Sequence, residues 1–96
     1  MDSTENNFKL LLRLLEGIRQ VIDLSVTLPI GTTSRKQKLF VEAGAFMKVV
    51  TVLNIEPVKS RLPTLCAEVI KTLTSLLANN AKNKVIFITA SFLNIL

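Results

Sequence analysis

The sequence contains no histidine, no tryptophan and no tyrosine, and it has a single cysteine, Cys66. Without histidine, the side chain that most often serves as general base and metal ligand near neutral pH is missing. One cysteine cannot build a metal site, and it excludes disulfides within the chain, which fits a reducing compartment, the cytosol or the nucleus. The seven carboxylates are scattered, with no pair spaced for acid–base work. Gly17, Gly31 and Gly44 are the only glycines and stand apart, so no glycine-rich loop can cradle a phosphate. Together these absences predict a chain that is not an enzyme and uses no cofactor or metal. Cys66 sits between Leu65 and Ala67, where a free cysteine is expected to act as a small buried hydrophobe rather than a nucleophile.

Long hydrophobic runs are missing too. The longest uncharged run, Val85 to Leu96, has 12 residues, whereas a helix crossing a bilayer needs about 20. The opening "MDSTENN" is acidic and polar, the reverse of the basic segment that begins a secretory signal, so neither a membrane span nor export is expected.

Apolar residues are nevertheless abundant. They make up 49% of the 96 residues, and the mean hydropathy is positive. A chain of this length forms one small domain at most, so it holds more apolar surface than a single small core uses. Charge is uneven: Met1 to Thr33 has three basic and four acidic residues, while Ser34 to Leu96 has nine basic and three acidic. A basic second part suits acidic protein segments or nucleic acid.

Periodicity predicts helices throughout. Between about Thr4 and Thr27, polar residues recur at Lys9, Arg13, Glu16, Gln20 and Asp23, and apolar residues fill most other positions. That pattern is a long amphipathic helix with a narrow wet stripe, closed by Pro29 and Gly31. A second helical segment runs from Phe40 to Asn54 with a small-residue corner at Ala43-Gly44-Ala45. A third starts near Pro63, places Leu65, Val69, Ile70, Leu73, Leu76 and Leu77 on one side, and stops at Asn79 and Asn80. No segment alternates long enough for a strand, so the class is all-α.

Self-comparison adds a repeat. "RKQKLFVEAGAFMKVV" from Arg35 can be laid without gaps on "AKNKVIFITASFLNIL" from Ala81, an offset of 46, matching Gly44-Ala45 with the small pair Ala90-Ser91. Helical HEAT and armadillo repeats have periods of roughly 40 to 47 residues.

"FVEAGAFMKVVTVLN" followed by "LCAEVIKTLTSLLANNAKNKVIF" resembles an armadillo repeat. The resemblance implies a right-handed α-solenoid of armadillo/HEAT-like helical repeats acting as a protein-interaction scaffold. It divides the chain into the last helix of a preceding repeat (4–27), one complete repeat (35–80) and the start of another (81–96). It makes Gly44 the structural corner between the first two helices of the repeat, the glycine letting the helices approach closely. Because terminal repeats need polar outer faces and no charged residue follows Lys84, a fragment or short form of a larger cytoplasmic scaffold is expected; large cytoplasmic scaffolds, the BEACH-domain trafficking proteins among them, contain armadillo-like stretches similar to this one at the level of fold. Peptide-binding armadillo members line a groove with a tryptophan and, four residues on, an asparagine. Lys71 and Ser75 stand there instead, which implies an acidic or mixed-charge partner. With Arg13 and Gln20 on the first helix, they form the candidate partner-binding ledge. Val85 to Leu96 would present Phe87, Phe92, Leu93 and Leu96 to a covering partner, with self-association through this helix as one outcome. The competing reading is a basic helical domain that binds nucleic acid through Arg35, Lys36, Lys38, Lys59, Arg61, Lys82 and Lys84. It is disfavoured, because the phenylalanines fall at core spacing rather than among these cations.

Overall fold

A computed structural model describes the backbone of residues 3–95 and the side chains of residues 5–89. The chain is all-helical, with no strand among the described residues. Five helices follow one another: α1 (Ser3–Leu24), α2 (Thr32–Glu42), α3 (Ala45–Ile55), α4 (Leu62–Leu77) and α5 (Ala81–Ile95), with short 3-10 turns at Ser25–Thr27 and Lys59–Arg61.

Helix α1 ends where its sequence stops supplying the period. Ser25 is buried at the junction; its hydroxyl bonds the Ile22 carbonyl and lies 2.8 Å from the hydroxyl of Thr33, which ties the end of α1 to the start of α2. The small-residue segment Ala43-Gly44-Ala45 falls at the junction of α2 and α3. Gly44 has φ +81°, and the chain turns there from α2 into α3, with the Gly44 amide donating to the Val41 carbonyl at 2.9 Å. Its mechanism differs from the expected close approach. A Cβ added at Gly44 would meet only Lys48 Cε at 3.9 Å, an ordinary contact. Glycine is required by the left-handed backbone, which costs an L-residue about 1–2 kcal/mol. The matching pair Ala90-Ser91 makes no corner, because α5 runs unbroken through it. An alanine without a reason to leave the right-handed region simply continues the helix.

Two apolar clusters hold the helices together. Leu15, Val49, Leu65 and Val69 join α1, α3 and α4, with Phe8 and Leu12 packed against them. Ile22, Ala45, Phe46 and Leu76 form the second, backed by Phe40 and Phe87. Fully burying each large aliphatic side chain contributes about 1.5–3 kcal/mol. Phe87 therefore belongs to the core rather than to an open end: its ring lies 5.3 Å from that of Phe46. The expected exposure of Phe92, Leu93 and Leu96 falls outside the described side chains. Two further expectations are corrected. Cys66 is exposed, and Ile70 is 58% exposed, because both lie on the side of α4 turned away from α1 and α3.

Candidate functional site

Of the four residues expected to form one ledge, Ser75 is withdrawn from the surface by the packing of α4 on α1. Lys71 is exposed, its Nζ 3.2 Å from Glu68 Oε1. Ser75 is buried instead, and its hydroxyl donates to Asp23 Oδ1 at 3.1 Å, so it serves the α1–α4 interface and is not offered to a partner. Arg13 and Gln20 are both exposed on α1, seven residues apart and so on one side of the helix. Gln20 Nε2 donates to Glu16 Oε1 at 3.2 Å, along its own helix and not toward α4.

The polar groups that do join α1 to α4 are different ones. Arg19 is pulled inward by Glu68, with Nη2 and Oε2 2.7 Å apart, while Nη1 donates to the Glu68 carbonyl and to the Thr72 hydroxyl at 3.3 and 3.2 Å. Thr72 is fully buried; its Oγ1 lies 2.9 Å from the Glu68 carbonyl and 3.3 Å from that of Leu15. Burial pushes the Glu68 carboxyl up, but hydrogen bonds and charge from Lys71 and Arg19 outweigh it and hold the group below its ordinary value.

A second polar cluster clasps the α4–α5 junction. Gln37 on α2 is buried and donates Nε2 to the carbonyls of Ser75 and Ala78, each at 2.9 Å. Its Oε1 accepts from Asn80 Nδ2 at 2.9 Å, and Asn80 Oδ1 accepts the Asn83 amide at 3.0 Å. That last bond caps the start of α5. Buried Asn83 donates Nδ2 to the Leu76 carbonyl at 2.9 Å. Asn79 has φ +52° and ends α4, as its residue type suggested. Each of the three carbonyls named here at the end of α4 gains a side-chain donor, which ties the turn to α2 and α5 beside the apolar packing of Leu76 and Phe87. A signal for this clasp was present in the sequence, since the 46-residue offset sets Gln37 on Asn83, one amide on another.

Beside the clasp, α2 and α5 enclose a cleft of about 490 Å³. Arg35, Lys38 and Lys82 line it together with Glu42 and the apolar Val41 and Ile86. Lys38 reaches Glu42 at 3.8 Å along α2, both exposed. The cleft can offer charge and an apolar patch to the same ligand. Among the described residues, no cluster of histidine, cysteine or carboxylate side chains could hold a metal ion, and no described helix is long and apolar enough to cross a membrane.

No curated protein and no solved structure matches the chain. One family model does: the Neurobeachin alpha solenoid region, over residues 1–91. Five successive helices packed on shared apolar clusters are what an alpha solenoid segment consists of, and the chain belongs to the Neurobeachin alpha solenoid region family.

Proposed function

We propose that the chain is a protein-binding unit of a helical scaffold, armadillo-like in its repeat and cytoplasmic in location, with no catalytic role. Its partner is a protein segment of acidic or mixed charge seated in the cleft between α2 and α5. The observation that carries this reading is the cleft's lining: three cations, Arg35, Lys38 and Lys82, beside apolar Val41 and Ile86. An extended acidic segment with one apolar side chain matches both features, with charge setting specificity and approach. Exposed Lys71 adds a positive point on α4. The nucleic-acid reading is the weaker one. Proteins that hold single strands stack bases on aromatic side chains, and Phe8, Phe40, Phe46 and Phe87 are all wholly or partly withdrawn from solvent.

The test is a fluorescence titration of the chain with an acidic peptide and, separately, with a single-stranded oligonucleotide. Arg35→Glu combined with Lys82→Glu is expected to weaken the peptide roughly tenfold, about 1.4 kcal/mol. Tighter oligonucleotide binding that collapses steeply with salt would reverse the assignment.

A further inference from the structure

The cleft between α2 and α5 holds a serine among its cations. Ser34 lines it together with Arg35, Lys38 and Lys82, and it is exposed. Of the serines with described side chains, Ser25 and Ser75 are buried, and Ser60 is the other exposed one. Ser60 stands between Lys59 and Arg61, but Arg61 is taken up by Glu56 at 3.9 Å and by the Phe8 ring, 5.3 Å away. The cations around Ser34 are held more loosely. Arg35 donates to the neutral Thr32 hydroxyl at 3.4 Å, and Lys38 meets only Glu42 at 3.8 Å in a pair exposed on both sides, which is a weak hold. Ser34 is also the third residue of α2, a helix that starts at Gly31 with no side-chain cap. Negative charge is favoured in such a first turn.

We infer that Ser34 is a phosphorylation site whose phosphate closes the cleft to its acidic partner; this rests on the cleft being the seat of an acidic segment. A kinase with an acidic substrate groove finds Arg35, Lys36 and Lys38 directly after the serine, in a stretch with no carboxylate from Leu24 to Val41. An uncapped first turn opens readily enough to enter that groove. Ser34 Oγ attacks the γ-phosphorus of ATP; the Oγ–P bond forms as the bridging β–γ P–O bond breaks, ADP leaves, and the hydroxyl proton passes to a carboxylate base of the kinase. The product carries close to two negative charges at neutral pH. With Lys38 one turn along the same helix and Arg35 and Lys82 in the same cleft, the phosphate occupies the cations that an acidic segment would use and repels that segment. Both walls of the cleft belong to this chain, so the site does not depend on what stacks against the outer face of α1.

Incubation of the chain with ATP and a serine kinase selective for basic residues should place a phosphate on Ser34, located by peptide mass mapping and lost in Ser34→Ala. The chain made with phosphoserine at position 34 should bind the acidic peptide roughly tenfold or more weakly than the unmodified chain, since like charges set against each other cost that much. Phosphatase treatment should restore binding, and phosphoserine at position 60 should change it little. A second readout needs no peptide. In phosphorus NMR the Ser34 phosphate should titrate below its ordinary value of about 6, because the cleft cations favour the dianion, and Lys38→Gln with Lys82→Gln should return it toward that value. An unmodified chain that ignores the peptide would sink the reading of the cleft, and the phosphate titration then decides the site alone. A folded chain left unmarked at Ser34 by the kinase, equal peptide affinity with and without the phosphate, or an ordinary titration unmoved by the two lysine substitutions would each overturn the inference.

Discussion

The two apolar faces of α1 have similar composition and opposite fates. The inner one, Phe8, Leu12, Leu15, Ile18 and Ile22, is covered by α3 and α4. The outer one, Leu10, Leu14, Val21 and Leu24, stands in water. What separates them is the polar hardware beside the inner face. Arg19 and Asp23 reach across to Glu68, Thr72 and Ser75 and fix α4 in one register. No described polar bond does the same for the outer face. Apolar spacing says that a helix face needs cover; the groups next to it decide which neighbour provides it.

The comparison can be broken most sharply at adjacent positions. Leu15→Ala removes a side chain that is 3% exposed and should cost about 2–5 kcal/mol in chemical denaturation. Leu14→Ala, one residue away, should change the stability of dilute chain by less than about 0.5 kcal/mol. Equal losses at both sites would erase the distinction between the faces.

Arg19→Ala probes the hardware. It leaves the Glu68 carboxylate and Thr72 hydroxyl short of a donor, and a loss of about 1–3 kcal/mol is expected by the same denaturation. Gln20→Ala, the neighbouring polar residue on the exposed side, should be close to neutral.

A pH series sharpens the same point. The folded-state pKa of Glu68 lies below its ordinary value of 4.5. Its contribution is therefore complete above that ordinary value and is lost as pH falls through the lowered one. Stability followed from pH 6 to pH 3 should decline, and Glu68→Gln should flatten part of the decline. An unchanged slope in the variant would remove Glu68 from the account.

The smallest effect is expected at Gly17, in the opposite direction. Alanine has free space there and should stabilise the chain by about 0.5–1 kcal/mol. Chemical denaturation of the variant checks this, and a loss of stability would contradict the open space at the position.

How much of this was legible follows from what a single sequence encodes. Period and punctuation were readable: the all-helical class, the end of α1, the turn at Gly44 and the stop at Asn79-Asn80 all rest on local chemistry. Partner choice was not. Ser75 looked like a solvated groove position because its spacing on α4 is compatible with the surface, and only Asp23, 52 residues away, withdraws it. Arg19 was hidden for the converse reason, since a cation beside an apolar face reads as solvent-facing until Glu68 is found opposite. Gln37 and Asn83 were visible as an aligned pair of amides, but their shared task at the end of α4 depends on three helices meeting. Phe87 appeared to belong to an uncovered end because Phe46, its ring partner, lies 41 residues earlier.

Thermal unfolding of Leu14→Glu with Leu24→Glu, set beside Leu15→Glu, tests the difference between the two faces of α1 most directly. The outer-face pair is exposed and should melt close to the wild-type temperature, since such substitutions usually change stability by less than about 0.5 kcal/mol each. Leu15→Glu places a charge in the core and should abolish the cooperative transition. Comparable losses in both variants would contradict the claim that only the inner face holds the fold together.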